Sequence, residues 1–334
     1  MEAAAVVRSD RRARWTRLAK LLVSVSIVAY LVIDTQHSDP ETFARLRTET
    51  KQWSALGGAW AFLVTALLLG WMRWRMLAGA LGLPMRVRDA ARLGFLGYML
   101  DFLALGTLGG DLGRGILLGR EHGQRFTEAL ASVVIDRLVG LWALSALAAC
   151  GVLLAVPAPE DSTLATIEWV VLLTAASASL ALVALLVPRL QALALRLARL
   201  VMPPAADRAT RVVDALALYR RRTGTVALVA LTSLAIPALN VAAFWLIARG
   251  LPIDAPSLGE HFVIIPPAMV SGAVPLPMEA LGVFEYVINY LYAQVAAAGA
   301  PAGQGLLVAL AYRALTITVI LVGAPFYAWA RATR

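Results

Sequence analysis

Charge is the first thing this chain has little of. Asp, Glu, Lys and Arg make up 15% of its 334 residues, against about 25% in ordinary soluble domains. The shortage is uneven: residues 52–72, 138–159, 169–188 and 223–248 run for 21, 22, 20 and 26 residues without any of the four. About 20 apolar residues cross a bilayer as a helix, so each stretch is long enough to span. With 60% hydrophobic residues, the chain reads as all-α, a polytopic helical membrane protein forming a single transmembrane domain over 1–334.

Cysteine and histidine are scarce too. Cys150 stands alone in an apolar run, so no intrachain disulfide exists. His37, His122 and His261 lie far apart and make no ligand pair for zinc, so neither a metal centre nor a cofactor is expected. A Gly-Lys-Ser/Thr phosphate loop, a Gly-x-Ser-x-Gly elbow and a His-Glu-x-x-His motif are all missing. That argues against an ATP-driven pump or a soluble-type hydrolase, and the chain is not expected to be an enzyme. Lysine occurs only as Lys20 and Lys51, so the formal charge of +9 is carried almost wholly by arginine. The arginines lie mostly between hydrophobic segments, which is the positive-inside pattern. The partner this implies is an anionic lipid surface rather than nucleic acid.

The arginine placement gives a topology. Six basic residues from Arg8 to Lys20 precede an apolar run, Leu21 to Ile33, that ends without a small-x-small cleavage site. Residues 1–20 therefore read as a cytoplasmic basic N-terminus before an uncleaved first helix, and the acidic loop after it lies outside. A second helix, about 54–72, returns to Arg73, Arg75, Arg86, Arg88 and Arg92 on the inside. Helices at about 129–156 and 168–187 lead out and back to a segment with eight arginines between Arg189 and Arg222. Within 188–222, Leu190, Leu193, Leu197 and Leu200 share one helical face and Arg189, Arg196 and Arg199 another, as in a helix lying in the headgroups; a charged connector is the plainer alternative. Spans at about 224–248 and 305–330 follow, the last ending inside at Arg331 and Arg334. The tryptophans sit mainly near segment ends, where an interfacial belt accounts for them.

Two regions break the zigzag. Residues 90–127 hold a hydrophobic segment interrupted by Asp101 and followed by Gly106-Thr107-Leu108-Gly109-Gly110, with arginine on both flanks. Residues 260–300 hold one interrupted by Pro266, Pro267, Pro275 and Pro277, with both flanks expected outside. Short, Gly/Pro-broken segments at corresponding places of two halves mark the site of an inverted-repeat transporter. The expected architecture is six to eight transmembrane helices plus two broken or re-entrant hairpins, one entering from each side; for 262–278 and 282–299 two full spans remain the alternative. A helix starting near Leu112 would aim its N–H groups into the membrane, with Asp111 as its N-cap, as part of an anion site, or both.

Charge inside the spans is the remaining anomaly. A mid-bilayer charge costs about 2.5–3.5 kcal/mol on insertion scales, and arginine does not escape by deprotonating. Arg137 and Arg313 sit about eight residues into apolar runs, with Asp101, Asp111, Arg114, Asp136, Glu279 and Glu285 nearby. They make either structural ion pairs, Asp111 or Asp136 with an arginine and Glu285 with Arg313, or a polar cavity for a phosphate-bearing headgroup.

Several motifs carry a resemblance: Trp71-Met72-Arg73-Trp74-Arg75, Leu105 through Arg114, Ile135-Asp136-Arg137-Leu138, Pro275 through Glu285, and Tyr312-Arg313. In this order they resemble the lysylphosphatidylglycerol synthase transmembrane-domain family. The resemblance implies a flippase-like protein of the cell inner (cytoplasmic) membrane, multi-pass with both termini cytoplasmic. It would move an anionic phospholipid or polyprenyl-type lipid between leaflets, by scrambling or by coupling to an ion gradient. It also implies that Asp111, Arg114, Asp136, Arg137, Glu285 and Arg313 are the polar positions of the headgroup path. Two departures stand out: Leu105 replaces the family's proline, and Glu279-Ala280 replaces its Gly-Gly, placing a carboxylate at the second tip. No segment looks able to fold as the soluble transferase half, so lysyl transfer is not expected. The rival to a translocator is a non-catalytic membrane subunit delivering lipid to a separate synthase, transferase or glycosyltransferase. An intramembrane lipid-modifying enzyme would need a nucleophile or metal cluster that the sequence does not offer.

Overall fold

The computed structural model describes residues 26, 29–37, 40–100, 107–154, 162–201, 210, 223–272, 282–295 and 303–332. The basic N-terminus, Asp101, the Pro275–Ala280 tip with Glu279, and nearly all of the Arg-rich stretch after 201 lie outside them. The described residues form helices and no strand.

A short helix α1 (Pro40–Thr48) leads into α2 (Trp53–Ala80). Then come α3 (Val87–Leu100), α4 (Thr107–Glu121), α5 (Phe126–Leu154), α6 (Ser162–Leu186), α7 (Pro188–Val201) and α8 (Thr223–Gly250). The chain closes with α9 (Leu258–Gly272), α10 (Val283–Val295) and α11 (Gln304–Ala332). Among the described residues five helices, α2, α5, α6, α8 and α11, are long and apolar enough to cross a membrane, and they coincide with five of the expected spans. Leu173, Leu180, Leu231, Leu321 and Val322 stay exposed on them. Apolar side chains turned outward are what a lipid solvent permits and water penalises. The protein is a multi-pass helical membrane protein.

The four remaining helices of the core are short. At 1.5 Å per residue, α3, α4, α9 and α10 reach roughly 20–23 Å, less than the ~30 Å hydrocarbon layer. Each consecutive pair folds back as a hairpin. Arg92 Nη2 meets Glu121 Oε1 at 2.5 Å, joining the start of α3 to the end of α4. His261 Nε2 and the Tyr292 hydroxyl, 2.7 Å apart, join the start of α9 to the end of α10. Within 260–300 the described helices α9 and α10 thus lie side by side, each shorter than the hydrocarbon layer.

The packing repeats itself under exchange of two halves. With α2, α3, α4 and α5 set against α8, α9, α10 and α11, every principal contact has its counterpart: α3 with α4 and α9 with α10, α4 with α5 and α10 with α11, α3 with α11 and α9 with α5. The corresponding helices α2 and α8 lie against each other and run antiparallel. Gln52 N–H donates to the Gly250 carbonyl at 3.0 Å at one end, and Arg73 Nη1 reaches Ser233 Oγ at 3.4 Å further along. A helix antiparallel to its own counterpart requires a two-fold axis across the helices, so the hairpins enter from opposite ends. This is an inverted repeat.

Two expectations are corrected. Pro266 and Pro267 do not break their segment, because α9 runs through both to Gly272. Proline at 266 frees the Phe262 carbonyl, and that oxygen rests against Gly151 of α5, where any side chain would overlap it. Neighbouring helices make proline tolerable in membrane helices in this way. The second span does not stop at Trp71 or Met72, since α2 continues to Ala80 on the apolar Met76–Ala80. The expected cytoplasmic flank Arg73 is therefore inside the protein. Of the Arg-rich segment, Pro188–Val201 is helical as expected, with Arg189 and Arg196 exposed and Gln191 buried.

Candidate functional site

Midway along the long helices is a cavity of about 540 Å³, within the size range of ligand pockets. Its wall is mostly apolar, from Leu63, Leu67, Leu141, Leu144 and Val319, with Tyr98 and Tyr312 among its polar-tipped members. Five charged residues line it: Arg73 from α2, Asp111 and Arg114 from α4, Asp136 and Arg137 from α5.

These five form one alternating chain. Arg73 Nε donates to Asp136 Oδ1 at 2.8 Å. Asp136 Oδ2 accepts from Arg114 Nη2 at 3.2 Å, and the same nitrogen reaches Asp111 Oδ1 at 2.8 Å. Asp111 Oδ2 accepts from Arg137 Nε. Each acid divides its two oxygens between two guanidinium groups, so every contact in the chain is charge-assisted. Arg73, Arg114, Asp111 and Asp136 are buried, whereas the Arg137 side chain is 49% exposed. The chain thus runs from a sealed end at Arg73 to an open end at Arg137.

Local sequence explains how the backbone supports it. Asp111 and Arg114 are three apart on α4 and share a face. A Cβ at Gly97 of α3 would lie 3.3 Å from Arg114 Cδ and 3.3 Å from the Gly110 carbonyl. Glycine there lets α3 approach α4 and leaves room for the arginine stem. A Cβ at Gly140 would stand 3.0 Å from Arg73 Nη2, so α5 yields space to the other guanidinium. The Arg114 guanidinium carbon lies 4.7 Å from the Trp74 ring centroid, and Trp74 is pinned by its indole N–H on Ser132 Oγ at 3.1 Å. Among the described residues the buried Arg114 Nε has no hydrogen-bond partner.

The other two expected site residues lie elsewhere. Arg313 Nε donates to Glu285 Oε1 at 2.7 Å, and Glu285 Oε2 accepts the Gly282 N–H at 2.6 Å, capping α10. Glu285 is fully buried and Arg313 nearly so. Phe244 stacks on Tyr312 at 4.6 Å, and Phe284 lies under Arg313, 5.4 Å from ring centroid to guanidinium carbon. The pair stands behind the cavity wall, on which its neighbours Tyr312 and Thr316 appear.

Further corrections follow from this geometry. Asp111 is not an N-cap, because α4 starts at Thr107 and holds Gly109, Gly110 and Asp111 inside it. Its carboxylate turns to arginines instead. Trp74 is not part of an interfacial belt; it is completely buried beneath Arg114. Sequence reading missed Arg73 altogether as a site residue. The usable signal was the apolar stretch beyond it, which marks a charge within a span rather than at its edge. Among the described residues no group of three His, Cys, Asp or Glu side chains is placed to hold a metal ion, and both acids of the cavity are engaged by arginine.

Comparison with curated proteins finds no match, and comparison with solved structures finds none. The family model described as Lysylphosphatidylglycerol synthase TM region matches residues 17–323. The match takes in all of α2 to α10, both hairpins and every member of the charged chain, so this protein belongs to that family of membrane proteins linked to lipid metabolism.

Proposed function

We propose that this protein is a non-enzymatic lipid translocator, carrying the polar head of an anionic phospholipid or polyprenyl-type lipid between leaflets while the acyl chains stay in the bilayer. It would sit in the cell inner (cytoplasmic) membrane with both termini cytoplasmic. The observation that carries the reading is the five-membered charged chain lining a mid-membrane cavity. Intramembrane charge is costly and marks substrate paths, and a cavity between inverted halves is where transporters place their sites. Arg114 and Arg137 receive the headgroup phosphate, and Asp111 and Asp136 compensate them when the path is empty. In the absence of a nucleotide motif the motion is scrambling or is driven by an ion gradient.

Leaflet exchange in proteoliposomes tests this, using fluorescent anionic lipid and a membrane-impermeant quencher. Native protein is expected to expose inner-leaflet label to the quencher, and Arg114→Ala to slow that by at least about tenfold, the loss of one charge-assisted contact. Folded native protein that exchanges no lipid would overturn the reading in favour of a subunit that serves a separate synthase or glycosyltransferase.

A further inference from the structure

We propose that Tyr312 is a gate: its ring separates the open ion pair of the first half from the closed pair of the second and swings aside as a headgroup passes. The inference rests on the translocator reading and adds to it the residue that governs passage. Tyr312 is on the cavity wall and precedes Arg313, whose pair with Glu285 stands behind that wall. Its ring stacks on Phe244, with centroids 4.6 Å apart and planes at 26°. It also lies 5.8 Å from the Phe284 ring, which in turn is 5.4 Å from the Arg313 guanidinium carbon. From the cavity surface the way to the buried pair leads through these rings.

The three rings are not equally free to move. Phe244 is fully buried and Phe284 nearly so, and a close-packed interior leaves no space for a second rotamer. Tyr312 is half-buried and has the cavity beside it, so its ring can leave Phe244 by rotation about its own side-chain bonds. The stack it gives up is a modest restraint, which suits a part that opens and closes at each passage. The first half has no such cover. Counted from the paired acid and the paired arginine, Phe284 corresponds to Gly110 and Tyr312 to Asp136. Where the second half has two rings, the first has a glycine and a carboxylate that belongs to the charged chain. The obstruction is therefore one-sided. Because the halves are inverted, a head crossing between faces leaves Arg114 and Arg137 for Arg313, and Tyr312 stands on that route.

The test places trifluoromethyl-phenylalanine at position 312 by amber suppression, in the full chain in phosphatidylcholine nanodiscs, and follows its fluorine resonance. The ring current of Phe244 shifts a probe stacked on it, and opening removes that shift. Added phosphatidylglycerol is expected to bring up a second resonance that grows to a plateau, and further phosphatidylcholine to bring up none. The same probe at position 286, where Tyr286 is exposed and stacks on Tyr290 at 6.4 Å, is expected to stay unchanged. Leaflet exchange gives the second readout. Tyr312→Phe keeps the ring and is expected to exchange phosphatidylglycerol within about twofold of the native rate. Tyr312→Ala removes the gate and Phe244→Leu removes what it stacks on. Each is expected to speed exchange severalfold, up to about tenfold for the loss of one aromatic pair. Binding of labelled phosphatidylglycerol by solubilised protein stays as in the native chain, whereas a merely structural role would lower binding and slow exchange.

A resonance at 312 that ignores phosphatidylglycerol, or a response shared by the probe at 286, would overturn the gate. Where the native chain exchanges lipid, a folded Tyr312→Ala protein that is no faster would overturn it too. A lipid-dependent shift in a native chain that exchanges no lipid would uphold the gate and overturn the translocator reading; exchange without any shift would do the reverse. The fluorine measurement decides even where Tyr312→Ala or Phe244→Leu fails to fold.

Discussion

The two halves of this protein hold the same kind of ion pair in corresponding places and treat it in opposite ways. Asp111 of α4 pairs with Arg137 of α5, and Glu285 of α10 pairs with Arg313 of α11. In the first half the pair opens onto a cavity and is extended through Arg114 and Asp136 to Arg73. In the second, Phe244, Phe284 and Tyr312 close over it. The helices α2 and α8 share a length of 28 residues, and Trp74 stands at the same place along α2 as Phe244 along α8. Beside them Arg73 corresponds to Ala243, so the second half lacks the cation that begins the chain in the first. A buried charge is therefore not a site by itself. What distinguishes the halves is whether the surrounding side chains leave space beside the pair.

The comparison breaks most visibly at Glu285. Removing one partner of a fully buried pair leaves an uncompensated charge and typically costs about 3–5 kcal/mol. Glu285→Ala also removes the acceptor for the Gly282 N–H. The expected outcome is a collapse in the thermal midpoint of detergent-solubilised protein, or no folded protein. A Glu285→Ala variant as stable as the native chain would mean that the second pair is as open as the first.

A smaller difference is expected at the glycines. Gly305 packs α11 onto α10: a Cβ there would stand 2.7 Å from Asn289 Cα, 2.8 Å from Tyr292 Cβ and 2.9 Å from the Ile288 carbonyl. Two of those atoms are backbone and do not move alone, so Gly305→Ala should cost about 1–3 kcal/mol through overpacking. Chemical or thermal unfolding in detergent reads it.

Much of this arrangement is legible in the sequence, and the failures share one cause. Span positions follow from apolar length, and the short helices follow from hydrophobic segments too short or too Gly/Pro-rich to span, because both are properties of one element in a bilayer. Asp111, Arg114, Asp136, Arg137, Glu285 and Arg313 are conspicuous because charge within a span has to find a partner. Which partner is a property of two elements, and there the linear reading falters. Asp111 next to two glycines reads as a cap, whereas α4 begins a full turn earlier and turns the carboxylate to Arg137. Arg73 next to Trp71 and Trp74 reads as a membrane edge, whereas Asp136 of α5 holds it inside. Pro266 and Pro267 read as a break because the compensating neighbour, Gly151, is more than a hundred residues away.

At the open end of the chain the stability effect should shrink further. Arg137→Gln leaves Asp111 still paired with Arg114 at 2.8 Å, and the lost side chain was half exposed, so about 0–1 kcal/mol is expected. Arg313→Gln strands the buried Glu285 carboxylate and should cost several times more. Midpoints of the two variants, measured side by side in the same detergent, give the ratio directly. Near-equal losses would erase the distinction between the halves.

The smallest expected effect is the most discriminating for the cavity. Gly140→Ala places a methyl group 3.0 Å from Arg73 Nη2, the far end of a flexible side chain rather than backbone. Alanine in place of helical glycine brings up to about 1 kcal/mol of helix propensity, which offsets the displacement of a guanidinium that has room to move. Stability is expected to change by less than about 0.5 kcal/mol, as for substitutions that meet no rigid neighbour. Arg73 nevertheless bonds Asp136 through Nε and, through Nη2, the Asp136 carbonyl at 3.3 Å. Shifting it loosens the sealed end of the chain, and lipid exchange should slow in a protein whose unfolding is unaltered. A loss of stability as large as that of Gly305→Ala would show instead that the first half is as tightly packed as the second, and that the cavity offers Arg73 no freedom to give.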